Sequence, residues 1–565
     1  MGWLRRRGEQ AREAPEPEES QAERALRTVR AYHQGTKHHL HRYASGPPDL
    51  DWATQPDPFL RYAGAPLVSL EQVAPTDEPR YEPAFVAGEV APAPLTLRSV
   101  SQLFYDSLAL SAWKSVATAR WSLRVNPSSG NLHPTEGYLV SGPLEGVSAA
   151  PFVAHYAARE HALELRAELP EVLWRRIASR LPQECVLVGL TSIAWREAWK
   201  YGERAFRYCQ HDLGHALGAL AVAAAGMGWR MRVLERPSSD ALARLLGVGD
   251  PRGPEAEEPE ALVALHPARE DVGDFEVEDV DFEGIERATW RGRPAALSPD
   301  HLEWSAIEAA SIATRKPATS APSLAERAGP WLLPATHSID REPIALRRIV
   351  RQRRSAVAFD GRTGLARDGF LQALARTLPG QGRRAFTGWP WRPRVDLAVF
   401  VHRVADLEPG LYVLVRDPAR TERLRASWKP ELEWTAVDAL PGLHRLRRAD
   451  VRAAARASSC HQEIASDGCF AVAMLAEMEP ALTELGPWMY RRLHWECGWI
   501  GQLLYLEAEA LGVRATGIGC FFDDVVHDLL GQRDAALQDL YHFTVGGPVD
   551  DPRLTTLPAY PIPTD

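Results

Sequence analysis

The chain has 565 residues, with 65 Lys+Arg against 74 Asp+Glu (net charge −9), 45% apolar residues and 25% charged residues. At roughly 150 residues per domain the length implies two to four globular domains, and the negative balance argues against a nucleic-acid or anionic-membrane surface. Six cysteines with neither C-x-x-C nor zinc-finger spacing do not make a disulfide framework or a zinc site, so a reducing cytoplasm is the expected compartment.

Residues 1–22 are rich in Glu, Arg and Pro and read as a disordered extension without the apolar core of a signal peptide. Residues 23–85 open on a helical pattern and continue as an irregular Pro-, Asp- and aromatic-rich segment that predicts a wrap over another surface. Its His33, His38, His39 and His41 lack regular ligand spacing, so no metal site is expected. The stretch "RVNPSSGNLHPTE" (124–136) places Pro127, Ser128, Ser129, Gly130 and Asn131 between two apolar runs. These are turn formers, and the same amides and hydroxyls can grip a flat polar ligand. His133 and Glu136 follow it and suit either a capping or a substrate-side role. "WREAWKYGERAF" then presents Lys200 and Tyr201 at a helix end. The longest apolar run, residues 216–229, is too short and too rich in Ala and Gly to span a bilayer.

Residues 291–343 read as a linker. Across it the halves repeat: residues 205–230 align without a gap on 489–514, at an offset of 489 − 205 = 284, pairing Arg207 with Arg491, Asp212 with Glu496, Gly214 with Gly498 and Gly228 with Gly512. Each segment predicts one long helix with a small-residue face, ended by Gly, and the matched polar positions point to a duplication. "RRIVRQRRSAVAFD" (347–360) packs five arginines and Ser355 into nine residues. Arg353, Arg354 and Ser355 are the groups a phosphate monoester needs, because a guanidinium gives two parallel charge-assisted bonds. Arg553, late in "HFTVGGPVDDPRL", offers a further cation.

Three elements, "RRSAVAF", "NPSSGNLHP" and "LGVRATGIGCFFDD", resemble the flavin-contacting elements of the nitroreductase superfamily. "KYGERAFRYCQHDLGHAL" and "YHQGTKH" are similar to the azoline-oxidising dehydrogenases of thiazole/oxazole-modified peptide biosynthesis. The likeness covers most of residues 31–250 and 344–555. It implies an α+β fold, a mostly antiparallel sheet flanked by helices, with flavin mononucleotide (FMN) at a dimer interface. It assigns Arg353, Arg354 and Ser355 to the phosphate and ribityl chain and Pro127 to Asn131 to the corner. Thr516, Gly517, Ile518 and Gly519 fall to the loop beside the reactive edge of the ring, and Lys200 and Tyr201 to proton transfer. Val357 departs from the basic residue common at its position.

The N-terminal half (86–290) carries the corner and "APLTLRSVSQLF" where an Arg element would stand. The C-terminal half (344–565) carries the Arg element and Gly loop but reads "FTGWPWRPRVDLAVF" in place of the corner. Two tandem domains forming an intrachain pseudo-dimer, able to stand as a monomer, would therefore complete one FMN site. The expected function is an FMN-dependent dehydrogenase of a heterocycle or related C–N/C–C bond on a small molecule or peptide, with no nucleic-acid or membrane partner. An NAD(P)H-dependent reductase of nitro-aromatics or quinones, and a binding protein with a decayed flavin site, remain open alternatives.

Overall fold

The computed structural model describes residues 19–249, 253–268, 272–320, 343–379, 386, 388–532 and 534–560. The expected disorder of residues 1–18 and the linker segment 321–342 lie outside them.

Each half is built on an antiparallel sheet with helices against it. In the first half the strands that matter are β1 (Leu110–Val116), β2 (Ala119–Arg124), β3 (Thr135–Ser141), β4 (Phe152–Ala157), β5 (Ala162–Glu168), β6 (Val186–Ile193), β7 (Trp229–Val233) and β8 (Glu257–Pro267). In the second they are β9 (Val395–Val401), β10 (Gly410–Leu414), β11 (Leu443–Arg448), β12 (Phe470–Ala476), β13 (Arg514–Ile518), β14 (Gln538–Gly546) and β15 (Thr555–Leu557). The first main sheet runs β5-β4-β3-β6-β8-β7 and the second β11-β10-β9-β12-β14-β13. The strand order is the same in both. Central strands such as β3, β6, β9 and β12 are buried along their whole length. Of these, β6, β9 and β12 are rich in apolar residues rather than alternating, as fully buried strands are.

The helices α1 (Gln21–Gly35), α2 (Ala194–Tyr201), α3 (Ala205–Ala225), α4 (Ser305–Ala313), α5 (Leu346–Gln352) and α6 (Met489–Ala510) fix how the halves meet. All of α3 and all but one residue of α6 are buried, which fits their apolar, small-residue composition. They cross at the two glycines that the sequence pairs. A Cβ on Gly214 would lie 2.3 Å from the Trp495 carbonyl oxygen, and one on Gly498 would lie 2.1 Å from the His211 carbonyl oxygen. These contacts are reciprocal, since 211 + 284 = 495 and 214 + 284 = 498. That is the signature of an isologous interface. Gly228 and Gly512, at φ +67° and +75°, follow the two helices in the left-handed conformation that favours glycine.

Arms exchange across the interface. In α1 the His33 ring bonds Tyr490 Oη (3.2 Å) and Gln538 Oε1 (3.0 Å). The C-terminal strand β15 pairs with β1 of the first half, and Tyr560 Oη donates to the Ala158 carbonyl (2.7 Å). The wrapping segment thus starts with a packed helix, and part of the expected linker, 291–343, is also structured. Within it α4 is held by Arg491, which donates to the Ser311 carbonyl (2.8 Å) and to Thr314 Oγ1 (2.8 Å). Pattern alone could not show that a short helix here buries Ile307 and Ala310. Among the described residues no helix is long and apolar enough to cross a membrane, and no group of three His, Cys, Asp or Glu could hold a metal.

Candidate functional site

A cavity of about 620 Å³ lies between the halves, within the ~300–1,000 Å³ usual for cofactor sites. The first half contributes Pro127, Ser128, Ser129, Gly130, Asn131 and Asp212. The second contributes Arg353, Arg354, Ser355, Thr516, Gly517 and Gly519. Most of the residues singled out in the sequence therefore meet at one place, although they lie up to 519 − 127 = 392 positions apart.

The corner is held from below by acids. The Ser129 amide donates to both Asp212 carboxylate oxygens (3.2 Å each), Ser128 Oγ donates to Glu197 Oε1 (3.3 Å), and the His133 amide donates to Ser128 Oγ (2.8 Å). Gly130 and Asn131 take φ +60° and +57°, a region open to Gly and tolerated by Asn. Burial raises the Asp212 carboxyl to about 7, against the pull of the Ser128 and Ser129 hydrogen bonds, and burial together with Asp212 pushes Glu197 well up.

The Arg element leaves α5 and pairs briefly with β13. Ser355 bridges Ala515 in parallel, and the Ala356 amide donates to the Ala515 carbonyl (3.1 Å). Arg353 is 3% exposed. Its Nη2 donates to the Arg124 carbonyl (3.1 Å) and its guanidinium lies 4.9 Å over the Tyr505 ring, while Nε and Nη1 have no hydrogen-bond partner. Arg354 donates to Ser111 Oγ (3.2 Å) and the Ser111 carbonyl (3.1 Å), and burial with the neighbouring Arg353 and Arg351 charges lowers it to about 9. Lys114 is lowered by burial and by Arg354 and Arg514. A buried guanidinium with two free donors, beside two further cations, asks for an anion.

Tyr505 ties this element to the Gly loop. Its Oη shares a hydrogen bond with Ser355 Oγ (2.8 Å) and accepts from the Gly517 amide (3.0 Å). A Cβ on Gly517 would fall 2.0 Å from Tyr541 Oη, and one on Gly519 would fall 2.5 Å from the Tyr208 ring, so both glycines are what allow those rings to approach. Tyr541 bonds His215 Nε2 (3.1 Å), and burial and Arg353 lower His215 to about 3, so it stays neutral.

Lys200 and Tyr201 lie at the end of α2, behind the corner. A Cβ on Gly130 would stand 2.7 Å from Tyr201 Oη and 3.2 Å from Lys200 Nζ. Burial, then the Glu197 charge, raises the Tyr201 phenol well above its usual value, so it holds its proton.

Not every residue singled out in the sequence turns its side chain to the cavity. The Ile518 side chain is 3% exposed and packs into the core behind the second sheet, because strand alternation in β13 turns it away from Gly517 and Gly519. Arg553 faces solvent and is chelated by Asp551 two residues earlier (2.7 Å). The cations in the cavity wall are instead Lys114, Arg124 and Arg514, with Arg353 and Arg354. His133 is buried, with Nε2 on the Ser122 carbonyl (3.2 Å) and its pKa driven well down by desolvation. Glu136 pairs with Arg196 (2.5 Å) and His155 (3.0 Å) in the sheet. Neither of these last two reaches the cavity. Asp212, Glu197, His215, Tyr505 and Tyr541 escaped sequence reasoning. Asp212 alone left a signal there, as the partner of Glu496 in the repeat.

The chain has the nitroreductase fold. A structure assigned to the nitroreductases, from Anabaena variabilis, is similar over 92% of this chain and 99% of its own length, with 22% identity and a TM-score of 0.67. A second nitroreductase assignment, from Ralstonia eutropha, overlaps 40% of this chain and all of its own (14% identity, TM-score 0.26). The E. coli microcin synthetase McbBCD complex, with truncated pro-MccB17 bound, overlaps 44% of this chain and 94% of its own (17% identity, TM-score 0.26). No protein-family profile and no curated protein sequence matches the chain.

Proposed function

We propose that the chain is an FMN-dependent oxidoreductase, formed by tandem duplication of a nitroreductase-like domain into an intrachain pseudo-dimer with one flavin site. The observation that carries this reading is the buried Arg353 guanidinium, with two partnerless nitrogens, facing a corner supplied by the opposite half. Arg353, with Lys114 and Arg354 beside it, fits a phosphate. Ser355 and the Pro127–Asn131 corner fit the polar chain and ring edge, with Gly517 and Gly519 lining the same cavity. Bound FMN would supply two-electron acceptor chemistry, with the protein supplying orientation and protons.

We favour dehydrogenation of a heterocycle or related C–N/C–C bond, including a peptide-borne azoline. In support, Lys200 and Tyr201 sit together behind the corner, where a proton coupled to oxidation can be handled. Tyr201 keeps its proton at Oη, and the adjacent Lys200 Nζ is 5.3 Å from that ring. Asp212, whose carboxyl burial pushes up, lies under the corner and can hold a second proton.

Denaturing release with absorbance quantification tests the reading, with one FMN per chain expected. Separately expressed halves should bind poorly, because neither holds a complete set of contacts. Two flavins per chain, or tight binding by the isolated second half, would overturn the split site.

A further inference from the structure

A histidine from one half and a tyrosine from the other meet in the cavity wall. His215 stands on α3 and Tyr541 on β14, with His215 Nε2 and Tyr541 Oη 3.1 Å apart. Both side chains line the cavity, at 1% and 7% exposure. The Tyr541 ring lies flat on His211, with centroids 4.2 Å apart and 14° between the planes, which fixes the direction of its hydroxyl. That hydroxyl takes the space of a side chain at Gly517, because a Cβ there would collide with Oη. The phenol therefore reaches the stretch of β13 that borders the cavity at Gly517 and Gly519.

Among the described residues His215 Nδ1 has no hydrogen-bond partner, and Tyr541 Oη has only His215. A buried bare ring nitrogen costs less than a buried orphan N–H, so the ring proton belongs on Nε2, which donates to Tyr541 Oη. The phenol O–H is then left without an acceptor in the protein and is free to donate into the cavity. Burial holds the Tyr541 phenol well above its usual value and His215 well below its own. The pair is neutral at ordinary pH and presents a donor, not a charge.

The matching position on the other side of the α3–α6 crossing lacks this pair. Trp499 stands there in the place of His215, 284 residues later (499 − 215 = 284). Gly517 pairs with Phe543 between β13 and β14, and Val233 pairs with Val263 between β7 and β8. Two residues back along the second strand of each pair, Tyr541 answers Ala261. An indole, a methyl and a valine thus replace the imidazole, the phenol and the glycine. The polar pair occurs where the cavity is open and gives way to apolar side chains where the position is filled, so the packing of this fold does not require it.

On the reading that the cavity holds FMN, we propose that Tyr541 is a further ligand-contacting residue and His215 its positioning residue: the Tyr541 hydroxyl, fixed by His215 from the opposite half, donates a hydrogen bond to a carbonyl or ring nitrogen of the flavin. A donor grips such an atom more strongly once reduction adds electron density to the ring, so the contact should favour the reduced form.

The test is FMN titration of the full chain, together with a spectroelectrochemical midpoint potential, for the wild type, Tyr541→Phe, His215→Phe and His215→Gln. Tyr541→Phe keeps the ring on His211 and removes only the hydroxyl. It should weaken oxidised FMN about three- to tenfold. It should also lower the two-electron midpoint potential by about 15–30 mV, a further three- to tenfold loss for the reduced form at about 30 mV per tenfold. His215→Phe leaves the phenol without its clamp and should shift the potential in the same direction by less, while His215→Gln keeps an N–H donor and should stay near the wild type. A wild type that binds no FMN would overturn the flavin reading and this contact with it. With FMN bound to the wild type, unchanged affinity and potential in Tyr541→Phe, whether or not its thermal stability falls, would overturn this contact alone.

Discussion

The cavity and the equivalent position on the other side of the α3–α6 crossing are built from the same framework and end differently. On the open side Asp212 accepts the Ser129 amide, and on the other side Glu496, 284 residues later, accepts the Arg394 amide (3.0 Å). The open side has His211 and His215, and the matching residues are Trp495 and Trp499. Gly517 and Gly519 correspond to Val233 and Glu235. In place of the Ser-Ser-Gly-Asn corner stand Phe386, Trp389 and Trp391. Phe386 stacks on Trp499 (5.3 Å), Trp389 meets it edge-on (5.6 Å), and Trp391 packs on Trp389 (4.8 Å). A void of about 10 Å³ remains beside Val233 and Trp495. Indoles in place of imidazoles and side chains in place of glycines fill this position, and the aromatic side chains pack on a helix of their own half.

The largest effect expected on the open side is kinetic. Lys200→Ala and Tyr201→Phe should leave the chain folded with FMN bound and slow its reduction by substrate about 10²- to 10⁴-fold, the usual cost of lost acid–base help. Single-turnover reduction at matched flavin occupancy reads this. Unchanged rates would make the pair a structural helix end.

On the closed side the cost should fall on stability. Trp391→Ala removes a buried indole and should cost about 3–5 kcal/mol, read as a lower denaturant midpoint, without weakening FMN at the open site. A matching loss of flavin would show that the two positions are coupled.

The halves should also separate in alkali. Glu136 in β3 and Glu164 in β5 flank His155 in β4 (3.0 and 2.9 Å), and the two carboxylates raise it to about 9 against burial. In β9, Asp396 is instead paired with Arg420 (2.6 Å), which does not titrate in this range. A histidine whose folded pKa is raised contributes stability in full below its unfolded value of 6.5 and loses it as pH climbs through 9. The first half should therefore lose up to about 3 kcal/mol between pH 6.5 and 9. Hydrogen exchange should show β3–β5 opening before β9–β11, and simultaneous opening would count against the asymmetry.

Arg353→Ala should weaken FMN by about ten- to a hundredfold, the loss of roughly 1.5–3 kcal/mol for a charge-assisted bond. Asn131→Ala, across the interface, should weaken the same flavin. An effect from one half only would break the picture of a shared site.

The sequence by itself fixed several pieces of this protein. The ungapped repeat located both long helices, with observed ends at Ala225 and Ala510 close to the paired glycines. The resemblance of three short elements to the nitroreductases implied the α+β class, and together with turn chemistry and the arginine run it picked out eleven of the residues that line the cavity, from Pro127 to Gly519. Such features are local. Turn chemistry, a run of arginines and a helical small-residue face are written in consecutive positions and need no partner to be seen. Asp212, Glu197, Tyr505 and Tyr541 were not visible this way, because a carboxyl or phenol acquires its role only from burial and from a neighbour hundreds of residues away. The outward turn of Arg553 was decided by a local Asp551 chelate, and the inward turn of Ile518 by the pleat of β13. The closing of the second position was decided by aromatic packing against a helix from the same half. Those outcomes depend on which surfaces meet, which only the tertiary structure decides.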